Sequence, residues 1–152
     1  MAGTMHILAY RVEDRFCGLP LSEVERVVPA VEVIPLIDAP PAVLGVINVA
    51  GGVLPVVSVR RVLGLPERPM ELSDRLIIAR WSSRRVALLA DSVEGVLERS
   101  ESEVVRADRI VDGPSHLDGV LKLRDGLLLI HDLEMFLSLI PTGELHEPAA
   151  CQ

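Results

Sequence analysis

Apolar residues along this chain fall in short Val-, Leu- and Ile-rich runs, separated by polar or glycine pairs. That is the pattern of strands and tight turns. The longest run, Ala39 to Val59, holds twenty-one residues without a charge. At that length a membrane-spanning helix must be weighed. Such a helix would have to absorb Gly45, Asn48, Gly51, Gly52 and Pro55. Gly51-Gly52 lies between two β-branched segments, and glycine supplies the positive φ of a two-residue hairpin turn. The run therefore predicts two strands joined at Gly51-Gly52, with no direct membrane insertion. Pro55 lacks a ladder N–H and predicts an edge or bulged strand. Val59, Val62 and Leu63 then share one face of a short helix that Gly64 and Pro66 stop.

This hairpin has a counterpart. "GVINVAGGVLPVVSVRRVLGL" (Gly45–Leu65) aligns without gaps to "GVLKLRDGLLLIHDLEMFLSL" (Gly119–Leu139), with Asp125-Gly126 at the turn. "ILAYRVEDRFCGLPLS" (Ile7–Ser22) aligns to "IIARWSSRRVALLADS" (Ile77–Ser92), each reading strand, polar turn, strand. "VERVV" (Val24–Val28) echoes "VEGVL" (Val93–Leu97). The chain is thus two copies of one unit, lobes at about 5–65 and 75–139, with exchange of strands between the lobes left open. Residues 1–4 form an extension, and the Pro-rich stretch Gly64–Arg75 reads as the connection. Between Glu98 and Gly119 only a short strand at Val104-Val105 is expected. Residues 140–152 form a polar tail. A lobe of this size is marginal alone and gains by burying a face against its twin.

Composition narrows the function. Apolar residues make up 49% of the chain but aromatics only 3%, so Val, Leu, Ile and Ala must build the core. The net charge of −7 argues against nucleic acid, which needs a basic footprint. Cys17 and Cys151 do not suggest a disulfide framework, and the start of the chain lacks the pattern of a signal peptide, so a cytoplasmic location is expected.

Catalytic chemistry finds little support. His6, His116, His131 and His146 show no metal-ligand spacing. His131-Asp132 reads as a strand residue followed by a helix-capping aspartate, and no G-x-S-x-G elbow accompanies it. Phosphate-cradling glycine motifs are missing too. These observations predict no enzyme, no cofactor and no metal. They leave apolar surface offered to protein partners.

The segments "ILAYRV", "LPLSEVERVV", "IPLIDAPPAVLGVINVAGGVLPVVSVRRVLGL", "VALLADSVEGVLE" and "LDGVLKLRDGLLLIHDLEMFL" together resemble the CheW-like domains of bacterial chemosensory arrays. The resemblance spans Met5 to about Leu139. It implies a mainly β fold of two five-stranded SH3-like barrels packed together, with short helices. It also implies a non-enzymatic adaptor that couples chemoreceptor cytoplasmic tips to the regulatory domain of a CheA-type histidine kinase. Partner-binding residues carried over by this resemblance are Arg26, Val27, Ile34, Leu44, Asn48, Ala50 and Gly51. Two of them depart from the family pattern: Arg26 stands where V-x-E-V has Glu, and Ala50 where N-x-R-G has Arg. A third departure is Ser58, where P-V-V-D-L has Asp. The alternative these departures raise is a CheW-fold regulatory module that has lost array coupling and binds another signalling protein.

Overall fold

The computed structural model describes residues 3–49, 51–110 and 117–138. Ala50, His116, His146, Cys151 and the tail expected at 140–152 lie outside the described residues. The first copy contains β1 (Thr4–Val12), β2 (Arg15–Pro20), β3 (Val24–Pro29), β4 (Val43–Val49), β5 (Gly52–Ser58) and α1 (Val59–Leu63). The second contains β6 (Arg75–Trp81), β7 (Arg84–Ala90), β8 (Ser92–Ser100), β9 (Val104–Arg106), β10 (Leu117–Leu123), β11 (Gly126–His131) and α2 (Leu133–Ser138). The uncharged run contains β4, β5 and the first residue of α1. No helix among the described residues is long and apolar enough to cross a membrane.

Two sheets result, and each draws strands from both copies. One runs β8-β1-β2-β11-β10-β9 and the other β3-β6-β7-β5-β4. Each copy therefore lends its opening hairpin to the sheet that holds the other copy's closing hairpin. The graft is sealed by parallel pairs, β11 with β2 and β5 with β7. Each sheet encloses its own core. Ile47, Leu54, Val56, Leu76, Ile78 and Ala87 fill the second sheet, and Ile7, Ala9, Leu121, Leu128 and Ile130 the first. A larger cluster between the sheets joins Tyr10, Cys17 and Leu19 to Val57, Ile77, Leu88 and Phe136.

This duplication corrects three details of the sequence reading. The β1–β2 turn pairs Val12 with Arg15, and the β6–β7 turn pairs Trp81 with Arg84. Glu13 and Ser82 hold matching positive φ values of 57° and 58°. Ile7 is therefore equivalent to Leu76, one residue earlier than the sequence alignment placed it. Apolar residues at adjacent positions let that slip pass unseen, although it moves every side chain to the opposite face. The β4–β5 ladder closes at Val49–Gly52 and the β10–β11 ladder at Leu123–Gly126, so each turn ends one residue before the expected Gly51-Gly52 and Asp125-Gly126. Gly51 carries the positive φ of 87°, and Gly52 is the first residue of β5. Lastly, β5 is neither an edge nor bulged: it is an interior strand, and the bulge in its ladder with β4 falls on β4. Pro55 is tolerated because pairing with β7 begins only at Val56, one residue later.

The first sheet has six strands rather than five. The extra one is β9, which pairs Val105 with Val120. Its equivalent in the second sheet is a single bridge between Ile34 and Val46. Gly45 and Gly119, equivalent in the repeat, let both outer segments come close. A Cβ on Gly45 would lie 2.1 Å from the Ile34 oxygen, and one on Gly119 2.7 Å from Val104 Cγ1.

Candidate functional site

The seven residues singled out by resemblance divide between two sheet edges. Arg26 and Val27 belong to β3, one edge of the second sheet; Leu44 and Asn48 belong to β4, the other edge. Arg26 is exposed, whereas Val27 is half-buried and packs on the cluster between the sheets. Ile34 is 53% exposed and holds β4 through two backbone hydrogen bonds of 2.9 Å with Val46. Leu44 is half-buried at a bulge in β4 and lines a small cavity beside Arg60 and Asp91. Asn48 and Gly51 are exposed near the hairpin tip.

Arg26 stands where the family pattern has Glu. The structure places an acid beside it. Glu25 is the extra residue of a bulge, where β3 steps from Val24–Ala79 to Arg26–Ile78. Its carboxylate accepts from Arg80 Nη2 at 2.5 Å and from Arg85 Nη2 at 2.8 Å. The hydrogen bond from Arg85, with that from Arg80, holds Glu25 below the usual carboxylate range. Arg85 also reaches toward the hairpin: a Cβ on Gly52 would sit 3.5 Å from its Nη1. A cationic cluster with one carboxylate thus spans β3, β6 and β7 and extends toward the start of β5. Glu25, Arg80 and Arg85 were missed from the sequence. The available signal was the Val-Glu pair repeated at 24–25 and 93–94. Glu94 occupies the equivalent bulge and faces Arg11 at 3.8 Å.

A second ionic network anchors the connection between copies. Arg60 on α1 donates to Glu13 Oε1 at 2.5 Å and to Asp91 Oδ2 at 2.7 Å. Arg68 in the connection donates to Asp74 Oδ1 at 2.7 Å and Asp91 Oδ1 at 2.9 Å. Burial pushes the Asp74 carboxyl up, but the Arg68 hydrogen bond and the Glu71 N–H outweigh it and leave it below its ordinary value. Asp91 also accepts from the Glu13 N–H at 2.8 Å, tying the β1–β2 turn to the same point. Every member of the network has an opposite charge within reach, which is what burying charge requires.

The remaining candidate chemistry is structural. His131 is fully buried, and its Nδ1 shares a 2.6 Å hydrogen bond with the Tyr10 hydroxyl. Asp132 Oδ1 accepts from the Glu134 N–H at 3.0 Å and the Met135 N–H at 3.3 Å, the cap expected for α2. Ser58 does the same for α1 through the Arg61 N–H at 3.2 Å. Serine and aspartate are near-equal caps, so the Ser58 departure keeps the local structure. Burial pushes the Cys17 thiol up to about 12, against a smaller lowering by Arg15, which makes it a poor nucleophile. Among the described residues no group of His, Cys, Asp and Glu could hold a metal ion.

The class these features define is a duplicated β module whose two sheets exchange opening hairpins. The CheW-like domain profile matches residues 6–144. The chain is 31% identical over 147 residues to the chemotaxis protein CheW of Rhizobium meliloti (strain 1021), covering 93% of this chain and 91% of that protein. It is 23% identical over 138 residues to CheW of Thermotoga maritima, covering 91% of each. The crystal structure of the scaffolding protein TtCheW from Thermoanaerobacter tengcongensis superposes with a TM-score of 0.77 at 22% identity, covering 85% of this chain and 89% of that one. This chain belongs to the CheW-like domain family, and it is an adaptor of chemotaxis signalling.

Proposed function

We propose that the chain acts without catalysis, in the cytoplasm, joining the cytoplasmic tip of a chemoreceptor to the regulatory domain of a CheA-type histidine kinase. The observation that carries this reading is the family match along nearly the whole chain, with both copies of the repeat present. The docking surface in this proposal comprises Arg26, Val27, Ile34, Leu44, Asn48, Ala50 and Gly51. Glu25, Arg80 and Arg85 are added to it because Glu25 adjoins Arg26 on β3 and Arg85 links Glu25 to the start of β5.

Partner choice is expected to differ from that of a typical family member. Arg26, Arg80 and Arg85 outnumber Glu25, so the surface suits an acidic patch and repels a basic one. Exposed ion pairs contribute only about 0–1 kcal/mol each, so charge here acts mainly through selectivity. The test is calorimetric titration of the purified chain with the receptor tip and the kinase regulatory domain from its own organism. Arg26→Glu combined with Ala50→Arg should shift at least one affinity. Wild-type protein that binds neither domain would sink the adaptor reading. Unchanged affinities in the double variant would remove these residues from the surface.

A further inference from the structure

The repeat places the mouth of the second sheet in correspondence with a mouth on the first, and the two are furnished differently. At the second sheet, Arg85 reaches across to Glu25 and lies over the start of β5. At the first sheet the residue equivalent to Arg85 is Phe16. A phenyl ring cannot pair with a carboxylate, and Arg11 instead stacks 4.6 Å above its centroid. The space that Arg85 bridges in one copy is open in the other. It forms a groove of about 450 Å³ between the β1–β2 turn, β8 and the β10–β11 hairpin.

The groove has an apolar floor and a cationic rim. Phe16, Leu97 and Leu123 are half-buried on the core of the first sheet, while Leu127 is 57% exposed. Arg11, Arg99 and Arg124 stand at the edges, against Asp14 and Asp125. Asp14 is partly neutralised by Arg15 at 3.6 Å, and Arg11 by Glu94 at 3.8 Å. Counting all seven gives four arginines against three carboxylates. The groove is thus locally positive on a chain whose net charge is −7. Arg124 aligns with Ala50 in the sequence repeat.

We propose that this groove is a second docking surface, for an extended acidic segment of a partner protein carrying one or two large apolar side chains. The apolar side chains cover Leu127, Leu97 and Phe16, and flanking carboxylates meet Arg99 and Arg124. An apolar floor with an aromatic ring, bordered by charged side chains, follows the division of an interface into a hydrophobic centre and a polar rim. The local positive charge on an acidic molecule selects an acidic occupant, because a basic segment would meet like charge at the rim. This surface lies on the first sheet, so its test is independent of the adaptor surface on the second.

The probe is a synthetic blocked peptide, Glu-Asp-Leu-Ile-Phe-Asp-Glu, titrated into the full chain and followed by amide NMR. Two controls replace its acidic residues with Lys or its apolar residues with Ser. Shift changes should centre on Phe16, Leu97, Arg124 and Leu127, and both controls should bind much more weakly. Arg99→Glu with Arg124→Glu should weaken binding about tenfold, with the melting temperature kept, because both side chains sit at the rim. Leu127→Ser should weaken it independently of salt, whereas the arginine contribution should fade as salt rises. Equal binding of the Lys control, or shifts centred elsewhere, would overturn the proposal. So would concentration-dependent self-association that the Arg99/Arg124 variant abolishes, since the occupant would then be a second copy of the chain.

Discussion

Gly45→Ala is the sharpest test of how the second sheet holds its outer segment. The new Cβ would sit 2.1 Å from the Ile34 oxygen and 2.7 Å from its carbonyl carbon, both backbone atoms that no rotamer change can move aside. The segment around Ile34 must therefore lift. Lifting breaks both 2.9 Å hydrogen bonds with Val46, which is itself only 8% exposed. At about 1 kcal/mol per hydrogen bond, the loss is about 2 kcal/mol. For a chain of this size that corresponds to a melting temperature lower by about 4–8 °C. Gly119→Ala provides the internal comparison. Its Cβ would meet Val104 Cγ1 at 2.7 Å and the Val105 oxygen at 3.0 Å. The first is a side-chain methyl that can turn away, and β9 is held by three residue pairs instead of one bridge. Its cost should be smaller, about 1 kcal/mol. Thermal and urea melts of both variants decide the matter. If Gly45→Ala melts with the wild type, or Gly119→Ala is the more damaging, the close approach at Ile34 does not carry the stability assigned to it.

The turn correction predicts that Gly51→Val, at φ 87°, destabilises the protein by about 1–3 kcal/mol. Gly52→Val, whose Cβ meets only Arg85 Nη1 at 3.5 Å, should be milder in the same melts. Halves separated between Pro66 and Pro69 should each fail to fold alone yet form a stable complex when co-expressed, because each sheet needs the other half's opening hairpin; a cooperatively melting single half would contradict this. Burial, aided by Asp118 and Asp132, raises the Glu23 carboxyl to about 7. The folded state then holds a proton that the unfolded state has lost between about pH 4.5 and 7, so this group's contribution to stability declines as pH rises through that window. Glu23→Gln should flatten that part of a stability–pH curve, and an unchanged curve would mean that Glu23 titrates normally.

Much of the fold was legible because the chain writes it twice. Glycine and polar residues marked the hairpins to within one residue, Gly64 and the Asp132 cap marked helix ends, and the gap-free match of the closing hairpins exposed the duplication. The exchange of opening hairpins was not legible. It depends on which copy's strands bury Tyr10, Leu19, Ile77 and Leu88 between the sheets, and either pairing satisfies the same local pattern. The slip in aligning the opening hairpins has a similar cause. "IIA" and "LII" fit a buried strand equally well when both faces are covered, so alternation could not fix the register. The turn errors came from taking the last glycine of each hairpin as a turn residue, whereas Gly52 and Gly126 open the second strand.

The candidate site was less legible because a bulge decides it. Read as a regular strand, β3 would put Glu25 and Arg26 on opposite faces, and Arg26 would replace a family acid with nothing nearby to balance it. One inserted residue changes this by aiming Glu25 at Arg80 and Arg85, two side chains more than fifty positions away in sequence. The acid has not vanished from the edge; it sits one position earlier, with its base supplied by β7 instead of by the hairpin tip. This explains how Arg26 and Ala50 can coexist without leaving a bare carboxylate at the mouth. It also means that Arg26→Glu alone would bring a second acid to a cluster whose existing carboxylate is already paired. Restoring a typical family surface therefore requires the base at position 50 together with the acid at 26, and each single change should perturb partner binding more than the pair.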